Sequence, residues 1–427
     1  MVGASSFRRV APLLGCVFIA MIGFGIALTV LPLYTERIHG LAGSSAGLVA
    51  FHLGVLTSVY ALAQLVVGPA VGRLGDRIGR RPLILYGLVG SGVTQVAFAF
   101  TSSLWWLYGL RLAGGLAASL LTVGATAAIA DNTTESSRAK GMAWFGTAAS
   151  LGVIAGPVLG SVLGQVGSSA ARGVRFDGYT LPFVAAGLLA LAAFGAAFFL
   201  VPESLNSARS DGAARVGMWR SMVGSPLLGL VAASQFGLAL FEGTFVLYAR
   251  SRFGLGSTQI AAAFVVCGAV MGILQAAVVG PLGRVVGQRS QAAGGFALMS
   301  VGLSGLVVVR SFDLVLSAVA ILALGAAFVV PNLAAMVASD SGGRFGEALG
   351  LKSSATSLGQ FLGPLVGGAM LGWVQSSPYM LAAVVLLVLG VLLARFGPRT
   401  NADEKKCVGP DRYAVKKDEP NQGRLVE

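Results

Sequence analysis

Gly72-Arg73-Leu74-Gly75-Asp76-Arg77-Ile78-Gly79-Arg80-Arg81-Pro82 is a short burst of glycine and charge between two long apolar runs. Glycine permits a sharp turn and a close approach of flanking helices. The charged side chains keep the stretch in water. It reads as a tight turn between two helices that are otherwise apolar throughout. Outward from it, the composition says the same. Hydrophobic residues make up 55% of the 427 residues, charged residues 11%, and mean hydropathy is +0.81. A soluble domain carries roughly 25% charged residues, which it needs to cover its surface. Here apolar runs longer than about 18 residues recur along the chain, the length a helix needs to cross a bilayer. The runs are continuous and do not alternate, which excludes a β-barrel. The 61 glycines suit helices packed closely through small residues in lipid.

About twelve such spans can be drawn, at approximately 11–34, 47–71, 83–101, 104–130, 141–165, 178–201, 222–249, 257–280, 291–310, 312–338, 346–372 and 377–395. Pro32, Pro157, Pro331 and Pro364 fall inside spans, where neighbouring helices satisfy the freed backbone groups. The first run starts near Ala11 and is too long for a cleavable signal, so it reads as a signal-anchor and first span. With the N-terminus inside, most of the 30 Lys and Arg residues lie in inner loops and the tail. Arg37, Arg172, Arg175, Arg250, Arg252 and Arg310 lie outside, and Arg111 lies within the membrane. The positive-inside rule then puts both termini in the cytoplasm. This topology accounts for the net charge of +13, and no nucleic-acid partner is expected. Cys16, Cys267 and Cys407 have no metal-ligand spacing and form no disulfide framework, so they read as packing residues. No metal and no cofactor is expected.

The chain also repeats itself. Gly72-x-Leu74-Gly75-x3-Gly79 returns as Gly280-x-Leu282-Gly283-x3-Gly287, and Gly156-Pro157-x2-Gly160 returns as Gly363-Pro364-x2-Gly367. Both offsets are close to half the chain, as expected for two six-helix halves related by an axis along the membrane normal. The division is residues 1–202 for the first half, 203–220 for a polar cytoplasmic linker, 221–396 for the second half and 397–427 for a disordered tail.

The opening stretch matches the pattern G-x-L-x-D-R-x-G-R-[KR] without a gap, and in this the chain resembles the major facilitator superfamily. The resemblance extends over about residues 8–396 and is strongest in the first half. It implies a twelve-helix membrane bundle of two pseudo-symmetric six-helix halves, and a transporter rather than an enzyme. It implies that Asp76 pairs with loop arginine and faces a helix N-terminus of the other half, latching the inner side, with Gly72, Arg77, Gly79, Arg80 and Arg81 completing the gating loop. The alternative is a basic loop that only sets topology. The second half has Arg284 where the first has Asp76, so the latch is one-sided. Arg111-Leu112-Ala113-Gly114-Gly115 resembles the family's R-x3-G pattern in span four, which implies coupling to proton transfer. An arginine in lipid is costly and faces a cavity or a partner, unless it snorkels from the helix end. Gly152, Gly156, Pro157 and Gly160 resemble the span-five motif of the drug/proton antiporter branch, which implies export. The same glycines also make a smooth face for helix packing in a transporter of either direction. Val201-Pro202-Glu203-Ser204 resembles the close of the family's first half, and Ile129-Ala130-Asp131 the inner loop of tetracycline-class exporters.

Glu242 is an ionisable group in the middle of an apolar span. A carboxylate there is costly when ionised, which suits a group that binds a proton on one side and releases it on the other. It is the leading proton carrier or the anchor for a cationic substrate group, with Arg111 and Asp131 as partners in coupling; the alternative is a structural acid. Tetracycline-class exporters carry an acid midway along span one, and Ala20 stands at that position here. Gln64, Gln95, Gln235, Gln275, Asn332 and Gln360 either line a cavity or bond between helices. Phe236, Phe241, Phe245 and Phe328 either wall a lipophilic site or pack. No P-loop, zinc motif or hydrolase elbow is present. The expected protein is a monomeric multi-pass exporter of the bacterial or archaeal cell membrane, exchanging small lipophilic compounds for protons by alternating access. The rival is a metabolite importer or uniporter without proton exchange, and a receptor or scaffold on the same fold is the other class.

Overall fold

The computed structural model describes residues 4–35, 38, 43–133, 135–170, 179–201, 225–282, 285–340 and 345–396. The linker at 203–220, the tail at 397–427, and Gly283 and Arg284 of the second-half loop lie outside them. Among the described residues the regular elements are helices, twelve of them long: α1 (Ala4–Thr35), α2 (Ala46–Ile78), α3 (Arg80–Ala99), α4 (Leu104–Asp131), α5 (Glu135–Ala170), α6 (Thr180–Leu200), α7 (Pro226–Phe253), α8 (Ser257–Ala277), α9 (Gln288–Val308), α10 (Phe312–Ser339), α11 (Phe345–Leu371) and α12 (Ser377–Phe396). Eleven of them are long and apolar enough to cross a membrane. The other, α11, packs along α7 and α2. Trp105, Trp106 and Trp373 are exposed at the end of the bundle opposite the arginine-rich loop, as suits side chains at a membrane–water interface.

The arginine-rich stretch is more helical than its charge and glycine content suggests. α2 runs on to Ile78 and α3 starts at Arg80, so Gly79 alone separates them. Gly79 takes φ 94°, a conformation that an L side chain strains to adopt. Its N–H still bonds the Gly75 carbonyl at 3.1 Å. The turn is sharp because one residue makes it, and the Asp76–Arg80 ion pair spans the break.

The two halves repeat in packing as they do in sequence. Within the first half α1 packs on α5 and α6, α3 on α4 and α6, and α2 on α4. The second half reproduces each pairing as α7 on α11 and α12, α9 on α10 and α12, and α8 on α10. The halves meet through α2 against α11 and α5 against α8, two contacts exchanged by the same two-fold. The expected twelve-helix bundle of two six-helix halves is the observed architecture.

The span-five glycines lie in the α1–α5 seam. A methyl group at Gly156 would sit 2.6 Å from the Ile22 carbonyl oxygen and the Gly25 Cα, and one at Gly152 would strike the Phe18 carbonyl and the Met21 side chain. One at Gly160 would sit 3.0 Å from the Thr29 hydroxyl, while the Pro157 ring packs against Gly25. The matching seam is α7–α11, where Gly359 meets the Ala232 carbonyl and Gly363 that of Phe236. Backbones come this close only because no Cβ intervenes.

Gly146, six residues before Gly152 on the same helix, has open space where its Cβ would be. Gly156→Val is therefore expected to cost roughly 1–3 kcal/mol or more by overpacking and to lower the thermal unfolding temperature in detergent by several degrees. Gly146→Val should stay within about 0.5 kcal/mol of the parent, as surface changes do. Equal effects of the two substitutions would contradict the seam.

Candidate functional site

The gating-loop residues gather at the arginine-rich end. The Arg80 guanidinium donates to Asp76 at 2.7 Å through Nη2 and to Asp131 at 3.3 Å through Nε. One arginine thus ties the end of α2, the start of α3 and the end of α4. Arg81 donates to the Phe198 carbonyl and lies 5.3 Å from the centre of the Phe198 ring, fastening α3 to the end of α6. Its counterpart Arg289 donates to the Leu393 and Ala394 carbonyls at 2.9 and 2.8 Å, fastening α9 to the end of α12. A cation at a helix C-terminus satisfies carbonyls that the helix leaves unpaired. A Cβ at Gly75 would meet Leu83 and Arg80, so this glycine lets α2 and α3 converge. Gly72 has open space around it, and Arg77 is exposed.

Arg111 and Glu242 meet elsewhere. Both line a narrow cleft between the halves, with Phe24 and Leu28 of α1, Thr57 and Tyr60 of α2, and Gly243 of α7. A second cleft inside the first half shares Phe24, Tyr60 and Arg111, and adds Ala20, Ser91, Thr94, Gln95, Phe98 and Thr122 among its walls. The spaces admit water and no drug-sized molecule. Arg111 turns its guanidinium inward, 5.6 Å from the Tyr60 ring centre and 5.5 Å from that of Phe98. Its Nε is buried and has no hydrogen-bond partner among the described residues. Two aromatic faces offset part of the desolvation, at about 0.5–2 kcal/mol each. Neither Arg111 nor Glu242 forms an ion pair among the described residues.

Asp131 is not part of this constellation. It ends the helix that carries Arg111, twenty residues further on, which is about 30 Å at 1.5 Å per residue. Its oxygen is taken by Arg80. At that separation Asp131 shares neither cleft with Arg111 and Glu242. Spans run from one face of the bundle to the other, so residues of one helix share a site only when a few turns apart.

The polar and aromatic candidates divide. Gln95 lines the second cleft, whereas Asn332 donates to Gln291 at 3.1 Å and to the Phe328 carbonyl. Gln64, Gln235, Gln275 and Gln360 line neither cleft. Phe241 and Phe245 are fully buried against one another and Phe264, so they are core. The aromatic wall comes from the first half, as Phe24, Tyr60, Phe98 and Phe183. These four lie on α1, α2, α3 and α6, and no spacing in the sequence joins them.

The two-fold exposes what is special about the charges. α4 and α10 begin at Leu104 and Phe312 and end at Asp131 and Ser339. One offset relates them, and Val319 stands where Arg111 does, fully buried in the second-half core. The register of the two glycine seams likewise sets Leu28 opposite Glu242, and Leu28 lines the same cleft. The second half has one continuous core, while the core of the first is split into two clusters. The second cleft lies between them, bordered by Phe98 and Phe183 of one cluster and Leu121 of the other.

The profile of the Major Facilitator Superfamily matches residues 13–342 and 272–417. Multidrug resistance protein 2 of Bacillus subtilis (strain 168) is 28% identical over 388 residues, covering 88% of this chain and 92% of that protein. The class G tetracycline resistance protein of Vibrio anguillarum is 32% identical over 390 residues, covering 87% and 94%. Among solved structures, the human organic anion transporter MFSD10 (TETRAN) superposes with a TM-score of 0.68 at 23% identity, covering 91% of this chain and 99% of that one. That last likeness bears on the fold alone.

Arg80→Gln removes both ion pairs at the arginine-rich end, and Asp131→Asn removes one. Partly exposed pairs of this kind contribute up to about 1 kcal/mol each, so the first substitution is expected to lower thermal stability in detergent about twice as much as the second. Equal losses would mean that the Arg80–Asp76 pair contributes nothing.

Proposed function

The chain belongs to the Major Facilitator Superfamily, and we propose that within it the protein exports small lipophilic, drug-like compounds in exchange for protons by alternating access. It is a multi-pass membrane transporter and not an enzyme. The observation that carries the reading is Glu242, a carboxylate in the middle of α7 that lines the cleft between the halves without an ion partner among the described residues. Facing an acidic exterior it takes a proton and becomes neutral, which lowers the cost of its low-dielectric surroundings. Facing the cytoplasm it releases the proton. Arg111 lines the same cleft, and in this reading it tunes that release. One charge crossing 100 mV is worth about 2.3 kcal/mol, enough to drive uphill export of roughly fiftyfold. The names of the relatives, multidrug and tetracycline resistance proteins, support the choice of drug-like substrates.

Alternating access draws support from where the halves touch. Gly47 of α2 lies against Gly372, and Gly54 against Pro364 and Gly368 of α11. Ser58 donates to the Phe361 carbonyl at 2.7 Å, one turn from the proline that loosens this helix. Gln165 of α5 donates to Thr258 at the start of α8 at 3.1 Å. These contacts run from midspan to the end marked by Trp105 and Trp373. With both termini and the arginine-rich end in the cytoplasm, this is the arrangement of a transporter closed to the outside. In this reading residues 1–202 and 221–396 move as a monomer's two halves, joined by the linker 203–220 and followed by the tail 397–427. Asp76, with Arg77, Arg80 and Arg81, holds the inner gate when it closes.

The rival is a uniporter or metabolite importer, which the absence of an acid at Ala20 favours. Flux in proteoliposomes with an internal pH dye separates the two, using a panel of lipophilic drugs, wild type and Glu242→Gln. Antiport predicts proton movement triggered by a drug and lost by at least tenfold in the variant. Drug flux without proton movement in either protein would leave facilitated diffusion as the function.

A further inference from the structure

The second cleft is built of donors. Arg111 enters it with an Nε that has no hydrogen-bond partner among the described residues. The Tyr60 hydroxyl, the Gln95 amide and the Ser91 hydroxyl line it too, and none donates a hydrogen bond among the described residues. Thr94 and Thr122 differ, since each spends its hydroxyl proton on a backbone carbonyl of its own helix, at 2.7 and 2.8 Å. Among the described residues no carboxylate lines this cleft; position 20, on its α1 side, is an alanine. Glu242 lines only the neighbouring one. The excess of donors is not repeated in the other half, where the equivalent of Arg111 is Val319, fully buried in the core. A guanidinium held in lipid without a counter-charge is costly, and a ligand that supplies the charge recovers that cost on binding.

A carboxylate is the group that fits. Once ionised it accepts and never donates, and a planar guanidinium matches it through two parallel bonds. Four rings stand among the apolar walls, with Phe24 lying 5.9 Å from Tyr60 and Phe98 4.8 Å from Phe183, beside Met21, Leu110 and Leu121. Flat apolar walls beside a cation suit an aromatic acid over an aliphatic one. We propose that the Arg111 cleft, which holds only water-sized space in this conformation and widens when the halves open, is an anion subsite of the transport path that takes the carboxylate of an aromatic substrate between Arg111, Gln95 and Ser91. The proposal rests on the reading of the cleft as part of the substrate path. It divides the work of the two membrane charges. Arg111 receives the acidic group of the substrate, and Glu242 carries the proton. A substrate that also bears an amine can then extend it towards Glu242 through the wall the two clefts share at Phe24 and Tyr60.

The test is equilibrium binding to the full chain in lipid nanodiscs at neutral pH, read against empty nanodiscs. The probes are 2-naphthoate and its neutral isostere 2-naphthamide. Charge-assisted bonds in a buried site predict that the acid binds at least about tenfold more tightly than the amide. Arg111→Gln should bring the ratio to about one, and Arg111→Lys, which keeps the charge and loses the fork, should leave it intermediate. Ala20→Asp, which puts a carboxylate on the cleft wall, should lower the ratio at least as far as the lysine variant does. Each variant is first shown to be monodisperse, and the ratio within one protein removes the effect of a partly folded sample. A wild-type ratio near one, a ratio unmoved by Arg111→Gln, or no saturable binding of the acid overturns the subsite even where drug–proton antiport is found. A ratio above ten that is lost in Arg111→Gln sustains it, and stands apart from the antiport assay, which is read through Glu242.

Discussion

Helices in hydrocarbon gain nothing from setting leucine against leucine, because lipid tails are as apolar as any side chain. What holds this bundle is the close approach of backbones, which brings many weak dispersion contacts into range at once. Glycine makes that approach possible. The α1–α5 and α7–α11 seams are built from the same spacing of glycines, and each sets peptide oxygens of one helix where the Cβ atoms of the other would be. The contact between the halves uses the same device, with Gly47 and Gly54 of α2 against Gly372 and Gly368 beyond and along α11. The motif that resembles an antiporter signature is thus, in its physical effect, a packing surface that fixes α5 against α1. Export and import both need such a surface. Its bearing on direction is through family likeness and not through any contact it makes.

Against this symmetric frame the charges are asymmetric. Arg111 corresponds to Val319, and Glu242 to Leu28, so each half contributes one charge where the other contributes an aliphatic side chain. The core responds locally: it is continuous in the second half and divided around the Arg111 cleft in the first. The price of that division is lost apolar packing, part of which returns through the Tyr60 and Phe98 faces. The ion pairs of Arg80 and the carbonyl bonds of Arg81 and Arg289 lie at the other end of the molecule, where water lowers the cost of charge.

Much of the fold was legible in the chain because a bilayer leaves few options. Long apolar runs must be helices, as every peptide group has to bond within its own segment, and the repeated glycine motifs announced two halves. The loop at Gly72–Pro82 was legible as a turn but not in its detail. That α2 continues to Ile78 depends on Gly79 alone taking the positive φ and on Arg80 reaching back to Asp76. Arg111 and Glu242 stood out as membrane charges, yet their common cleft did not. Asp131 looked equivalent to them by type and is some 30 Å away from Arg111 by helix geometry.

The sequence by itself determined the class of the protein, its succession of long apolar helices, the two-fold repeat and the presence of Arg111 and Glu242 within those helices. These follow from local composition and spacing, which a helix in lipid translates directly into structure. The tertiary structure alone decided that Arg111 stacks on Tyr60 and Phe98, that Phe241 and Phe245 belong to the core, and that the aromatic wall is Phe24, Tyr60, Phe98 and Phe183. Those residues come from helices far apart in the chain. Their meeting depends on which face each helix turns inward, and near-uniform hydrophobicity around a membrane helix removes the periodic signal that would have shown it.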